Sequence, residues 1–179
     1  MMRLFVGLGI SKEAREMLHH AVSSLGVRGR MTEPGNYHLT LAFLGEHDER
    51  IRPLETVLAD AARSCAPFSL SVTGLGFFGR RSSAILHAKL ANSAPLQTLA
   101  DTVHTRLTQA GEPYDGKPFA PHITLARQAD LTDLNLQTPL PQVSFPVNRL
   151  TLYHSARMEG ILRYRPVFEA FFEKEASRV

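Results

Sequence analysis

Hydrophobic positions recur along this chain with two periods, and each change of period marks a boundary. Arg3 to Ile10 is an apolar run of strand length. From Ser11 the spacing shifts: Ala14, Met17, Leu18, Ala21, Val22 and Leu25 recur every three or four residues, one helical face, with Ser11 as cap and Gly26 as stop. Gly29 to Tyr37 has no period and reads as a polar connector. A strand follows from His38 to Leu44, with a turn expected at Gly45. A second helix covers about Asp48 to Ser64, with Ile51, Leu54, Val57, Leu58 and Ala61 inward. Pro53 falls in its first turn, where a missing N–H costs little. Phe68–Thr73 and Ser83–Leu90 read as strands. A third helix starts near Pro95, buries Leu96, Leu99, Ala100, Val103 and Leu107, and stops at Gly111. The loop from Gly111 to Pro118 delivers a strand beginning at His122. Asp130 to Pro141 is irregular, and Arg149–His154 and Pro166–Phe172 read as closing strands.

The order is βαβαββαβ followed by strands. It predicts an α+β fold built from a duplicated unit: two lobes related by a pseudo-two-fold axis, antiparallel sheets lining a central cleft, helices packed outside. Residues 1–179 are expected to form a single two-lobed domain.

Composition changes this picture little. A hydrophobic content of 44% with 21% charged residues is ordinary for a globular protein of 179 residues. The formal charge of +3 leans toward an anionic ligand without requiring one. A lone cysteine, Cys65, excludes an intrachain disulfide and thiolate metal clusters. No apolar run approaches the roughly 20 residues that span a bilayer, and Met1 to Ile10 lacks a signal-peptide layout. The cytoplasm is the expected compartment.

Candidate chemistry changes it more. One strand opens His38-Leu39-Thr40-Leu41 and another opens His122-Ile123-Thr124-Leu125, nearly half the chain apart. A chain with these numbers of His, Thr and Leu holds about 0.07 H-x-T-L matches by chance, against the two found. Alternation in a strand puts His38 and Thr40 on one face with Leu39 and Leu41 on the other. The second copy repeats this with His122 and Thr124 opposite Ile123 and Leu125. An imidazole beside a hydroxyl on a buried-backed strand is a rigid mount for polar chemistry, and two mounts imply halves facing across a groove.

Other motifs carry less. Gly74-Leu75-Gly76-Phe77-Phe78-Gly79 has the glycine spacing of a dinucleotide-binding loop. That use needs a following helix, and Arg80 to Leu90 reads as strand, so a glycine-bent β-turn is expected. His19, His20 and His104 lie on helices and His47 in a loop. His87 and His154 are strand residues that could line a groove, though structural histidines are commoner. No helical or paired-cysteine metal spacing occurs, so no metal centre is expected.

At these residues the chain resembles the two-histidine phosphoesterases, marked by paired H-x-T-apolar strands. More narrowly it is similar to the bacterial and archaeal RNA 2′,3′-cyclic phosphodiesterases, also called 2′-5′ RNA ligase (LigT/ThpR) proteins. The matching segments are RLFVGL at Arg3–Leu8, NYHLTLAFLG at Asn36–Gly45, KPFAPHITLAR at Lys117–Arg127 and LYHS at Leu152–Ser155, with Gly160 and Tyr164 behind it. Their order covers nearly the whole chain. The resemblance implies a catalytic pair, His38 as proton donor and His122 as acceptor, although the residues themselves do not order the two. It implies that Thr40 and Thr124 bind the phosphate, that Arg127 pairs with its charge, and that Phe43 and Tyr153 neighbour the base or ribose. Strict alternation sets Arg127, five residues after His122, on the back face, so a bend near Ala126 is needed to bring it round.

The activity implied is opening of RNA 2′,3′-cyclic phosphate ends to 2′-phosphates, with possible reverse 2′-5′ ligation and no metal or cofactor. One neutral imidazole and one imidazolium suit that chemistry near neutral pH. The expected partner is an RNA end or nucleotide carrying a 2′,3′-cyclic phosphate, with no membrane and no obligate protein partner, the chain being a monomer. The alternatives are a phosphodiesterase for 2′-5′ linkages or ADP-ribose cyclic phosphate, and a non-catalytic RNA-binding module.

Overall fold

The computed structural model describes residues 1–175. Among them lie three α-helices, α1 (Lys12–Ser23), α2 (Arg52–Arg63) and α3 (Ala94–Gln109). The strands are β1 (Met2–Gly9), β2 (Arg28–Met31), β3 (His38–His47), β4 (Phe68–Arg80), β5 (Ser83–Leu90), β6 (His122–Asp130), β7 (Ser144–Val147), β8 (Arg149–Met158) and β9 (Ile161–Phe171).

The strands form one antiparallel sheet in the order β7-β4-β5-β6-β3-β1-β8-β9, with β2 added on β6. That order reads the same from both ends in a structural sense. β6 and β3 meet at the centre, β5 and β1 flank them, and β4 and β8 come next. The halves exchange strands: β4 follows the first half in sequence but pairs with β5, while β8 follows the second and pairs with β1. The duplicated α+β architecture expected from the pattern is therefore present, as one continuous sheet. Its halves are joined by a single residue pair, Leu39 with Ile123.

Both residues of that pair are fully buried and belong to the hydrophobic core. The helices cover the same face. α1 buries Ala14, Leu18 and Val22, and α3 buries the five residues its spacing predicts. Each fully buried leucine among them contributes roughly 1.5–3 kcal/mol. Ser11 caps α1 by accepting the Ala14 N–H at 3.2 Å, and Pro53 lies in the first turn of α2. α2 begins at Arg52, later than expected: Asp48 accepts the Arg50 N–H at 2.9 Å in a turn that precedes the helix.

Four segments differ from the sequence pattern. The polar connector contains β2, whose four residues are all exposed. It is a strand through its ladder to β6, so it carries no apolar alternation to detect. Gly45 does not end β3, which runs on to His47. The glycine-rich stretch is not a turn either: β4 passes through Gly74, Gly76 and Gly79, with a register shift between Val72 and Gly74. Strand β7, which follows the irregular stretch, has no sequence signal beyond Phe145 and Val147, which are buried.

Candidate active site

The Leu39–Ile123 pair sets the geometry. Its two side chains point into the core, so the residues on either side, His38 and Thr40 on β3 and His122 and Thr124 on β6, stand on the opposite face. All four are partly exposed there. The two H-x-T phrases are thus brought together at the centre of the sheet.

Each imidazole is anchored in the same way. His38 Nδ1–H donates to the Asn36 carbonyl at 2.7 Å, and His122 Nδ1–H donates to the Ala120 carbonyl at 2.6 Å. Each acceptor lies two residues before its histidine. The bond selects the tautomer that leaves Nε2 free to take or give a proton. The Thr40 hydroxyl donates to His38 Nε2 at 2.8 Å. Asn36 is itself held: its buried side chain donates to the Leu162 carbonyl at 2.8 Å and accepts the Tyr164 N–H at 3.1 Å, replacing a piece of strand pairing with β9. Asn36 is a supporting residue that sequence spacing did not single out.

Burial pushes the His38 imidazole down to about 4, against the Asn36 carbonyl, and the positive charges of His122 and Arg127 add to the drop. His122 is also lowered, first by burial and then by Arg127, with the Ala120 carbonyl opposing. Arg127 therefore acts on both rings from the same face. The bend this requires is a β-bulge. His87 pairs with Thr124 and Leu86 with Ala126, so Leu125 is left unpaired and the alternation slips by one. Leu125 and Ala126 are both buried, and Arg127 emerges on the histidine face.

The first motif has the same bulge. Gly7 pairs with Thr40 and Val6 with Ala42, which leaves out Leu41 and brings Phe43 round to the position matching Arg127. Both bulge carbonyls are satisfied. His104 Nε2–H donates to the Leu41 carbonyl at 2.8 Å, and the Thr32 N–H donates to the Leu125 carbonyl at 2.9 Å.

The flanks of the pair differ chemically. Around His38 the rings of Phe5, Tyr164 and Tyr153 lie 4.8, 4.9 and 6.2 Å from the imidazole centroid. Gly7 and Gly9 leave room for Tyr153: a Cβ on Gly9 would lie 3.3 Å from its hydroxyl. Phe43 is 48% exposed, 6.0 Å from Phe5, at the rim of this aromatic cluster. Around His122 stand Phe78 at 4.9 Å and His87 at 5.2 Å, with Lys89 paired across from His122.

His87 is buried, and its Nδ1 has no hydrogen-bond partner among the described residues. Burial first, then the charge of His122, holds its imidazole at about 4. Gly76 explains how the ring fits, since a Cβ there would lie 2.7 Å from His87 Cε1. The glycine spacing in β4 thus serves a histidine rather than a phosphate. His154 pairs with Leu4, a core residue, on the other face of the sheet, and does not join the site.

A family model for the 2′-5′ RNA ligase superfamily matches residues 31–159. The chain is 31% identical over 167 residues to the RNA 2′,3′-cyclic phosphodiesterase of Escherichia coli (strain K12), covering 92% of this chain and 93% of that one. It is 29% identical over 181 residues to the protein of that name from Thermotoga maritima, covering 96% of each. A Geobacillus stearothermophilus relative with the same name is 33% identical, and the chain spans 55% of its length. Among solved structures, E. coli LigT complexed with 3′-AMP matches with a TM-score of 0.75 at 28% identity, covering 97% of this chain and 99% of that one. With its paired H-x-T strands at the centre of that same fold, this chain belongs to the 2′-5′ RNA ligase superfamily.

Proposed function

We propose that the chain opens 2′,3′-cyclic phosphates at RNA ends to 2′-phosphomonoesters, with His38 and His122 as a proton donor and acceptor pair and with no metal or cofactor. The observation that carries this reading is the matched anchoring of two imidazoles on one face of adjoining strands, each with Nδ1–H tied back to a carbonyl and Nε2 left as the unprotonated nitrogen, which in His38 accepts from Thr40. The names of the relatives point to the same reaction.

In this reading the cyclic phosphate lies between the two H-x-T pairs. His122 Nε2 takes a proton from water as the water oxygen bonds to phosphorus. The bond from phosphorus to the ribose 3′-oxygen breaks, and His38 Nε2 delivers its proton to that oxygen. The hydroxyls of Thr40 and Thr124 and the Arg127 guanidinium stabilise the added negative charge. His38 is the more strongly depressed imidazole, and the phosphate anion beside it supplies the opposing charge that lets it hold a proton when substrate is bound. Tyr153 and Phe43, on the aromatic flank, neighbour the terminal nucleoside. Run backwards, the same groups join a 2′,3′-cyclic end to a 5′-hydroxyl.

The reading treats residues 1–179 as a single two-lobed domain acting as a monomer, because both halves contribute to one site. No helix among the described residues is long and apolar enough to cross a membrane. The reading places the chain in the cytoplasm, where RNA ends are met. Incubation with an oligonucleotide ending in a 2′,3′-cyclic phosphate tests it. The expected product carries a 2′-phosphate. An unchanged substrate, or a 3′-phosphate, overturns the proposal.

A further inference from the structure

Strand β2 buries nothing: Arg28, Gly29, Arg30 and Met31 are all exposed. Its ladder nevertheless seats it firmly on β6. The Thr32 N–H donates to the Leu125 carbonyl, and Gly29 packs so closely that a Cβ would lie 2.8 Å from Ala129 Cα. Gln128 takes a positive φ of 50° opposite it, at a second register shift of β6 just after Arg127. The effect of this packing is to set Arg30 directly across from Arg127. Paired residues on neighbouring antiparallel strands share a face, with Cβ atoms about 5 Å apart, and like charges in that arrangement are destabilising. Arg28, at the far end of β2, reaches Asp130 at 3.4 Å. Among the described residues neither Arg30 nor Arg127 has an ion pair or a side-chain hydrogen bond. Two guanidinium groups without a protein counter-ion thus sit on paired positions of β2 and β6, one of them close enough to the paired histidines to lower both.

Resting on the function proposed above, we infer that Arg30 binds the phosphodiester on the 5′ side of the terminal nucleotide while Arg127 serves the reacting cyclic phosphate. The site is therefore specific for the end of an RNA chain over a nucleoside 2′,3′-cyclic phosphate, which has no second phosphate. Arg30 lies one residue before the segment matched by the family model.

The test compares adenosine 2′,3′-cyclic phosphate with the ApA dinucleotide bearing the same cyclic end, for the wild type and for Arg30→Ala and Arg30→Lys. The measured quantity is the ratio of kcat/KM for dinucleotide to mononucleotide. Arg30→Ala should lower that ratio about tenfold, as loss of a charge-assisted contact does. Arg30→Lys should fall between. The slope of log kcat/KM against log salt for the dinucleotide should become less negative by about 0.7 in Arg30→Ala. Its melting temperature should hold or rise, because a like-charge pair is relieved. An unchanged ratio, or equal losses on both substrates, overturns this inference alone. Turnover of neither substrate by the wild type overturns the proposed function and this inference with it.

Discussion

Phe43 and Arg127 occupy corresponding positions in the two halves of the molecule. Each lies five residues after its motif histidine, and each is swung onto the histidine face by a bulge at the intervening leucine, Leu41 or Leu125. One backbone device thus delivers an aromatic ring beside one motif and a cation beside the other. The difference gives a pseudo-symmetric scaffold a direction.

The bulge beneath Phe43 depends on His104, whose Nε2–H is the donor to the Leu41 carbonyl. His104→Ala leaves that carbonyl without a protein partner, a loss of about 1–3 kcal/mol. A drop in melting temperature of several degrees is expected. An unchanged melting temperature would show that water replaces the imidazole without cost.

His87 has no slack. It lies between the rings of Phe78, at 4.4 Å, and His122, with Gly76 against its edge. Gly76→Ala forces the ring toward His122, costing about 1–3 kcal/mol as overpacking does. Turnover of a cyclic-ended dinucleotide should fall roughly tenfold or more. Wild-type activity in a folded Gly76→Ala protein would mean that His122 tolerates the displacement.

Proton transfer by two histidines predicts losses of at least about 10²-fold in rate for His38→Ala and for His122→Ala. The pH dependence is more specific. Since kcat/KM reports ionisations of the free enzyme, it needs His38 protonated, near 4, and His122 neutral, above a value below 6.5. The profile should be a bell with its maximum on the acid side of 6.5. That of kcat should lie higher, because bound phosphate raises His38. A flat kcat/KM profile, or a maximum above about pH 7.5, would falsify this use of the pair.

The depressed imidazoles also tie stability to pH. His38 and His87 have folded values near 4, below the ordinary 6.5, so the unfolded chain binds protons that the folded chain refuses. Their contribution is present above 6.5 and is lost as pH falls from there through about 4. The melting temperature should drop by on the order of 5 °C or more across that window. His87→Gln should flatten the drop. A melting temperature independent of pH between those values would contradict the lowered titration of both imidazoles.

The proposed reaction takes its charges from imidazole and guanidinium groups. Added EDTA should therefore leave the turnover of a cyclic-ended oligonucleotide unchanged, and strong inhibition would require a different mechanism.

Much of this was legible in the chain alone. Local sequence determined what local forces determine. The period of α3 named all five of its buried residues, Ser11 capped α1, and the repeated H-x-T phrase placed imidazole and hydroxyl on one face of each strand. Those properties follow from backbone periodicity, which is written in nearest neighbours. The tertiary structure decided what depends on residues far apart. It made a strand of the fully exposed β2 by pairing it with β6. It set Arg127 beside the histidines through a slip in register with β5. It moved His87 from an unremarkable strand position to the edge of His122, in a space left by a glycine on a third strand. Register between strands is a property of pairs, and a pair separated by dozens of residues leaves no period in either member.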